Sequence, residues 1–191
     1  MKPISCGGRQ DAVFLMKCAG VRDAMETVNP IALRYPLSPS VSAKLEGLRI
    51  EFNKITRALA VLEKKYEVIV IEGCGGLLVP VSADFFVIDL IQFLNAKTLL
   101  VSRSGLGAIN HCLLSFEALR KRSIRPFGTV FSRVKSGAMG VAEKTNPAVI
   151  AGIVRVKTLG IFPHVKDFAP AALASVFGKH SDLKIINSVL N

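Results

Sequence analysis

The sequence lacks a run of about 20 apolar residues such as a bilayer-crossing helix needs. Its longest apolar stretches are broken by Glu72, Asp84 and Asp89, so a membrane span is excluded from this reading. It also lacks the charged, apolar and small-residue succession of a secretory leader, because Lys2-Pro3 runs straight into Cys6-Gly7-Gly8. A cytoplasmic location is expected. Cysteine is sparse: Cys6, Cys18, Cys74 and Cys112 follow neither a disulfide framework nor a metal-knuckle spacing, and reduced, mostly buried thiols are expected. His111, His164 and His180 are too far apart for metal-ligand spacing. No G-x-S-x-G nucleophile elbow and no G-x-x-x-x-G-K-[ST] phosphate loop is present. Acidic residues are outnumbered, 14 Asp and Glu against 25 Lys and Arg, giving a formal net charge of +11. The basic residues are nevertheless scattered. The densest group, Arg120-Lys121-Arg122 with Arg125, falls where a helix should end, and cations favour that end of the dipole. Without interleaved aromatics or a reader motif, nucleic acid is not the expected partner, and a phosphate-bearing small ligand accounts better for the charge.

What is present suits one well-cored domain spanning 1–191, since the chain has 191 residues of which 50% are hydrophobic. Leu48, Phe52, Ile55, Leu59 and Leu62 recur at alternating spacings of four and three, a stripe along one amphipathic helix. Val68-Ile69-Val70-Ile71 follows as a β-branched run that fits a parallel strand covered on both faces. Similar runs at Thr98–Val101, Gly128–Phe131 and Leu159–Phe162 each follow a helical stretch, at 84–95, 106–122 and 147–155. Strands alternating with helices predict an α/β fold with a doubly wound, mostly parallel sheet, whose ligands gather at the carboxyl ends of the strands. Asn29-Pro30, Tyr35-Pro36 and Ser38-Pro39 predict an ordered loop over 21–47 that leads into a helix, and Gly137 and Gly140 a flexible loop over 135–146.

Three clusters can carry chemistry. Glu72 ends the expected strand and precedes Gly73-Cys74-Gly75-Gly76, placing a carboxylate beside backbone that a phosphate can approach closely. Lys2-Pro3-Ile4-Ser5-Cys6-Gly7-Gly8 puts a cation, small polar side chains and glycines at another strand end, where Lys2 can neutralise a transferring phosphoryl group and Asp11 can help hold Mg²⁺. Ser102 to His111 ends a strand and opens a helix, turning free N–H groups toward an anion. Its glycines do not complete a dinucleotide fingerprint, because Asn110 stands where the third would be.

Together these clusters resemble the dethiobiotin synthetase family. The matching stretches are Lys2-Pro3-Ile4-Ser5-Cys6-Gly7, Asn29-Pro30 with Tyr35-Pro36-Leu37-Ser38-Pro39, Ile71-Glu72-Gly73-Cys74-Gly75-Gly76-Leu77-Leu78-Val79-Pro80, Leu106-Gly107-Ala108-Ile109-Asn110-His111 and Leu159-Gly160-Ile161-Phe162-Pro163, in the family's order. The resemblance implies a P-loop NTPase-like fold, a homodimer, and ATP- and Mg²⁺-dependent closure of a ureido ring on 7,8-diaminononanoate with CO₂. It implies that Lys2 binds the carbamate and the γ-phosphate, that Cys6 stands near the substrate, and that Asp11 and Glu72 hold Mg²⁺. Gly107, Ala108, Ile109 and Asn110 are implied to receive the substrate carboxylate across the dimer interface. Gly75, Gly76, Ser132, Pro163 and His164 fall on the nucleotide side, with Pro163 and His164 at the adenine pocket.

Two departures stand out. In the family a strand and a Walker-type loop come before the position of Lys2-Pro3, so a strand-loop-helix unit of ~30 residues is expected to be absent, with loss of a central strand and of phosphate donors. Ser132, preceded by Phe131, replaces the Asn that commonly reads adenine, and one hydroxyl cannot supply an amide's donor and acceptor pair. The alternative to the enzyme is a non-catalytic remnant that binds a small molecule or a protein without turning over ATP.

Overall fold

The computed structural model describes residues 1–190 and divides the chain into two compact units, Met1–Asn95 and Ala96–Asn191. Both are α/β, with parallel strands flanked by helices, as the alternation of runs predicts. The single doubly wound sheet is resolved as two: a pair of strands in the first unit and three in the second. Among the described residues no helix is long and apolar enough to cross a membrane.

The first unit contains β1 (Ile4–Cys6), α1 (Gln10–Ala19), α2 (Met25–Val28), β2 (Ile31–Leu33), α3 (Pro39–Leu45), α4 (Phe52–Glu63) and α5 (Val87–Phe93). β1 and β2 run parallel, with Ile4 opposite Ile31 and Cys6 opposite Leu33. The segment 21–47, expected as a loop, thus holds two short helices and a strand. β2 has only three residues between Pro-containing turns, too few to show a period. Buried Asn29 supplies what the sequence pattern does not: its Nδ2 donates to Lys2 O (2.7 Å) and Ile31 O (3.2 Å), while its Oδ1 accepts from Ser5 Oγ (2.9 Å), stitching the two strands together.

The amphipathic stripe forms α4, which buries Ile55, Ala58 and Leu62 and packs Phe52 and Leu59 against the same core. Leu48 lies outside this helix. Its N–H bonds Ala43 O at 2.9 Å while Gly47 N–H bonds Lys44 O at 3.2 Å, a Schellman closure that ends α3. Phe52, Phe85 and Phe93 form an aromatic cluster with centroid separations of 4.5 to 6.1 Å.

Val68–Ile71 is not a strand here. It is held by one rung, the Met1 amine donating to Val70 O (2.6 Å) and Glu72 N–H to Met1 O (3.0 Å), and a single rung makes no ladder. Ile69 and Ile71 pack on the core whereas Val68 and Val70 are exposed, so the run is covered on one face and not on both.

The second unit contains β3 (Leu99–Arg103), α6 (Ala108–Lys121), β4 (Gly128–Ser132), α7 (Val141–Val154), β5 (Thr158–Phe162), α8 (Pro170–His180) and α9 (Leu183–Leu190). All three strands are parallel in the order β3-β4-β5, with a register irregularity between Thr129 and Val130. Central β4 is buried along most of its length, as a strand covered on both faces should be, and edge β3 leaves Val101 exposed. Cys112, Phe116, Phe131, Ile150 and Val156 form the core. The expected loop over 135–146 is shorter than read: α7 already begins at Val141, where Glu143 accepts from Gly140 N–H at 3.0 Å. Pro147, a residue common at helix starts, lies inside this helix instead.

Candidate active site

In the first unit the site begins with Lys2. Its main-chain N–H is fixed to Val28 O (2.8 Å), and its side chain is buried, yet Nζ finds three acceptors: Glu72 Oε1 at 2.7 Å, Asp11 Oδ2 at 2.9 Å and Gly73 O at 2.9 Å. Asp11 sits in the first turn of α1, where a carboxylate suits the dipole. Glu72 is brought in by the Met1 rung. Burial by itself would lower the Lys2 pKa, but the hydrogen bonds and charges of Glu72 and Asp11 outweigh it and hold the ammonium above the ordinary lysine value. Burial lowers the pKa of the neighbouring Met1 amine, against the opposing pull of Glu72.

Two carboxylates share the one Lys2 ammonium, and their side chains are 60% and 49% exposed for Asp11 and Glu72. Hard oxygen donors open to solvent suit Mg²⁺, which is typically held by one or two carboxylates with waters and substrate phosphates completing its shell. The residues therefore fit that ion. Among the described residues no group of three or more His, Cys, Asp or Glu could hold a metal, and the three histidines form no cluster.

β1 ends at Cys6, and the following Gly7 has φ of +82°, with Pro36 so close that an added Cβ would stand 2.8 Å from Pro36 Cβ. This close approach joins the end of β1 to the Tyr35-Pro36 turn. Cys6 faces Cys74 with Sγ atoms 3.8 Å apart. Burial above all, then Cys74 and Glu46, pushes the Cys6 thiol up to about 12 despite Lys2. Of the four cysteines only Cys112 is buried; Cys6 and Cys74 are half-buried and Cys18 is exposed. The expectation of mostly buried thiols fails because three of them lie on a helix face, a strand end and a loop. Gly75 and Gly76 are exposed in the same loop as Cys74.

In the second unit the parallel register places three segments at the carboxyl edge of the sheet. Arg103 lies opposite Ser132, and Ser132 opposite Phe162, so the loop from Ser104, the end of β4 and Pro163 follow one another there. Ser104 N–H bonds Ser132 O at 3.2 Å. Gly107, with φ of +85°, caps α6, a conformation that a side chain would strain. Ala108 is buried, Ile109 packs on the core, and Gly107 and Asn110 are exposed at the helix start, as an anion site requires. Pro163 is half-buried and His164 exposed.

Sequence reasoning missed the residues that hold this edge. Buried Asn146 Nδ2 donates to Ser104 O (3.1 Å) and Gly105 O (2.9 Å), and Arg133 Nε donates to Glu143 Oε1 at 3.2 Å. Their only sequence trace is a Gly140-x-x-Glu143 helix start, with Asn146 hidden by the proline after it.

A family model described as an AAA domain matches residues 1–172. The chain is similar to an ATP-dependent dethiobiotin synthetase of Thermodesulfovibrio yellowstonii, 34% identical over 94% of this chain and 78% of that protein. It is similar to proteins of the same name from Methanococcus vannielii, 35% identical over 88% of this chain and 80% of that protein, and from Endomicrobium trichonymphae, 37% identical over 83% and 74%. The Lys2–Asp11–Glu72 cluster, the glycine-capped start of α6 and this extent of identity agree, and the chain belongs to the dethiobiotin synthetase family.

Proposed function

We propose that this chain catalyses ATP-dependent closure of the ureido ring of dethiobiotin from 7,8-diaminononanoate and CO₂. The observation that carries the reading is the buried Lys2 ammonium, held charged between Asp11 and Glu72 just ahead of β1. In the proposed sequence one substrate amine adds to CO₂ and loses a proton, giving a carbamate. A carbamate oxygen then attacks the γ-phosphorus, expelling ADP, and the second amine attacks the carbonyl carbon, expelling phosphate and closing the ring. Negative charge gathers first on the carbamate and then on the transferring group, and Lys2 would neutralise both. Asp11 and Glu72 would hold Mg²⁺, which when bound neutralises phosphate oxygens.

The helix start formed by Gly107, Ala108, Ile109 and Asn110 would take the substrate carboxylate, and Cys6 would line the diamine. Gly75 and Gly76 would lie against the nucleotide, with Ser132, Pro163 and His164 near adenine. Ser132, with one hydroxyl where an amide offers two complementary groups, would discriminate weakly among nucleobases. The reading takes 1–191 as one synthetase domain, working as a cytoplasmic homodimer.

The test is mass-spectrometric detection of dethiobiotin after incubation with diaminononanoate, bicarbonate and MgATP. Product is expected with the parent chain, and Glu72→Gln is expected to reduce its rate by about 10²-fold or more with an unchanged circular dichroism spectrum. Full activity in Glu72→Gln would sink the Mg²⁺ assignment. ATP hydrolysis independent of the diamine, without product, would overturn the ring-closing reading.

A further inference from the structure

We infer that Cys6 and Cys74 form a reversible disulfide site, closed by exchange with a low-molecular-weight disulfide. Their Sγ atoms lie 3.8 Å apart although the residues are 68 positions apart in sequence. Both are half-buried, so a small disulfide can reach them, whereas Cys112 is sealed in the core of the second unit. The two ends of the pair differ in stiffness. Cys6 is fixed by the β1–β2 ladder opposite Leu33. Cys74 stands between Gly73 and Gly75 in a stretch with no helix or strand, and the backbone there can yield the small approach that bonding requires.

The exchange balances. The Cys74 thiolate attacks a sulfur of R–S–S–R and expels R–S⁻, leaving a mixed disulfide on the protein. Cys6 gives its proton to the expelled R–S⁻ as its sulfur attacks the Cys74 sulfur of that bond, expelling the second R–S⁻. One S–S bond breaks and one forms. The two cysteines lose two electrons between them, the small disulfide is reduced to two thiols, and these take up the two protons. The closed bond ties the glycine loop to the end of β1, and a thiol reductant reverses it. The state of the pair then follows the thiol–disulfide poise of its surroundings. No step draws on ATP or on ring closure, so the site stands or falls separately from the proposed activity.

The experiment uses the full chain, both unaltered and with exposed Cys18→Ser, incubated with excess oxidised glutathione, alkylated, digested and examined by mass spectrometry. The expected result is a cross-linked peptide pair containing Cys6 and Cys74, recovery of both thiols with dithiothreitol and, in Cys18→Ser before alkylation, an intact mass lower by two hydrogens. In Cys6→Ser the cross-link is expected to give way to a glutathione adduct on Cys74. Cys6 and Cys74 that both remain open to alkylation, or that carry separate glutathiones in a chain of unchanged circular dichroism, would overturn the inference.

Discussion

Glu143 shows how much one carboxylate can organise. Its bond from Gly140 N–H, and then those from Arg133, hold its pKa below the ordinary glutamate value, and Ser104 Oγ stands 3.5 Å away. A depressed folded-state pKa contributes stability that is fully present above the unfolded value of about 4.3 and disappears as pH falls through the folded one. Glu143→Gln is therefore expected to be less stable than the parent at pH 7, with the difference shrinking below about pH 4. Urea unfolding at a series of pH values checks this, and a difference constant with pH would show that the charge is not responsible. Little of this could be read beforehand. Glu143 lay in a stretch whose glycines and polar residues look like loop, and Arg133, its main charged partner, belongs to a turn that only the β4–β5 register brings near.

Among the elements, α4 and α7 differ in legibility. The periodic stripe of α4 is local information, and burial follows it: Ile55 is 0% exposed. Ile55→Ala is expected to destabilise the protein by about 2–5 kcal/mol, read as a lower urea midpoint, and a shift near zero would mean that the site collapses around the smaller side chain. In α7 the important side chain is polar. Asn146→Ala leaves the carbonyls of Ser104 and Gly105 without their amide partner, at a cost of about 1–3 kcal/mol. On the proposed function it also loosens the approach to Gly107, raising KM for diaminononanoate more than it lowers kcat. An unchanged KM would place the Ser104–Gly105 loop outside substrate binding. The run 68–71 failed as a strand for a different reason. A β-branched sequence states a preference, but a strand exists only where a neighbour supplies a ladder, and here Met1 supplies one rung.

For the whole molecule, the homodimer of the proposed function has a physical motive in the apolar residues beside the start of α6. Leu106, next to the N–H groups proposed to take a carboxylate, is 98% exposed, and Leu114 further along α6 is 62% exposed. Light scattering on the purified chain is expected to give twice the chain mass at micromolar concentration, and Leu106→Asp is expected to reduce it to one. A monomer mass for the parent would remove the partner from the proposed substrate site.

The sequence by itself determined the α/β class, the helices α4 and α6, the strands of the second unit and the residues of the proposed site, because each is written in local periodicity or in contiguous motifs such as Glu72-Gly73-Cys74-Gly75-Gly76 and Leu106-Gly107-Ala108-Ile109-Asn110-His111. Tertiary structure alone decided that Asp11 and Glu72 share the Lys2 ammonium, that Asn29 joins β1 to β2, and that two cysteines 68 positions apart meet. These are contacts between distant positions. A hydrogen-bond partner, unlike an apolar face, leaves no period in the chain, and only folding chooses it.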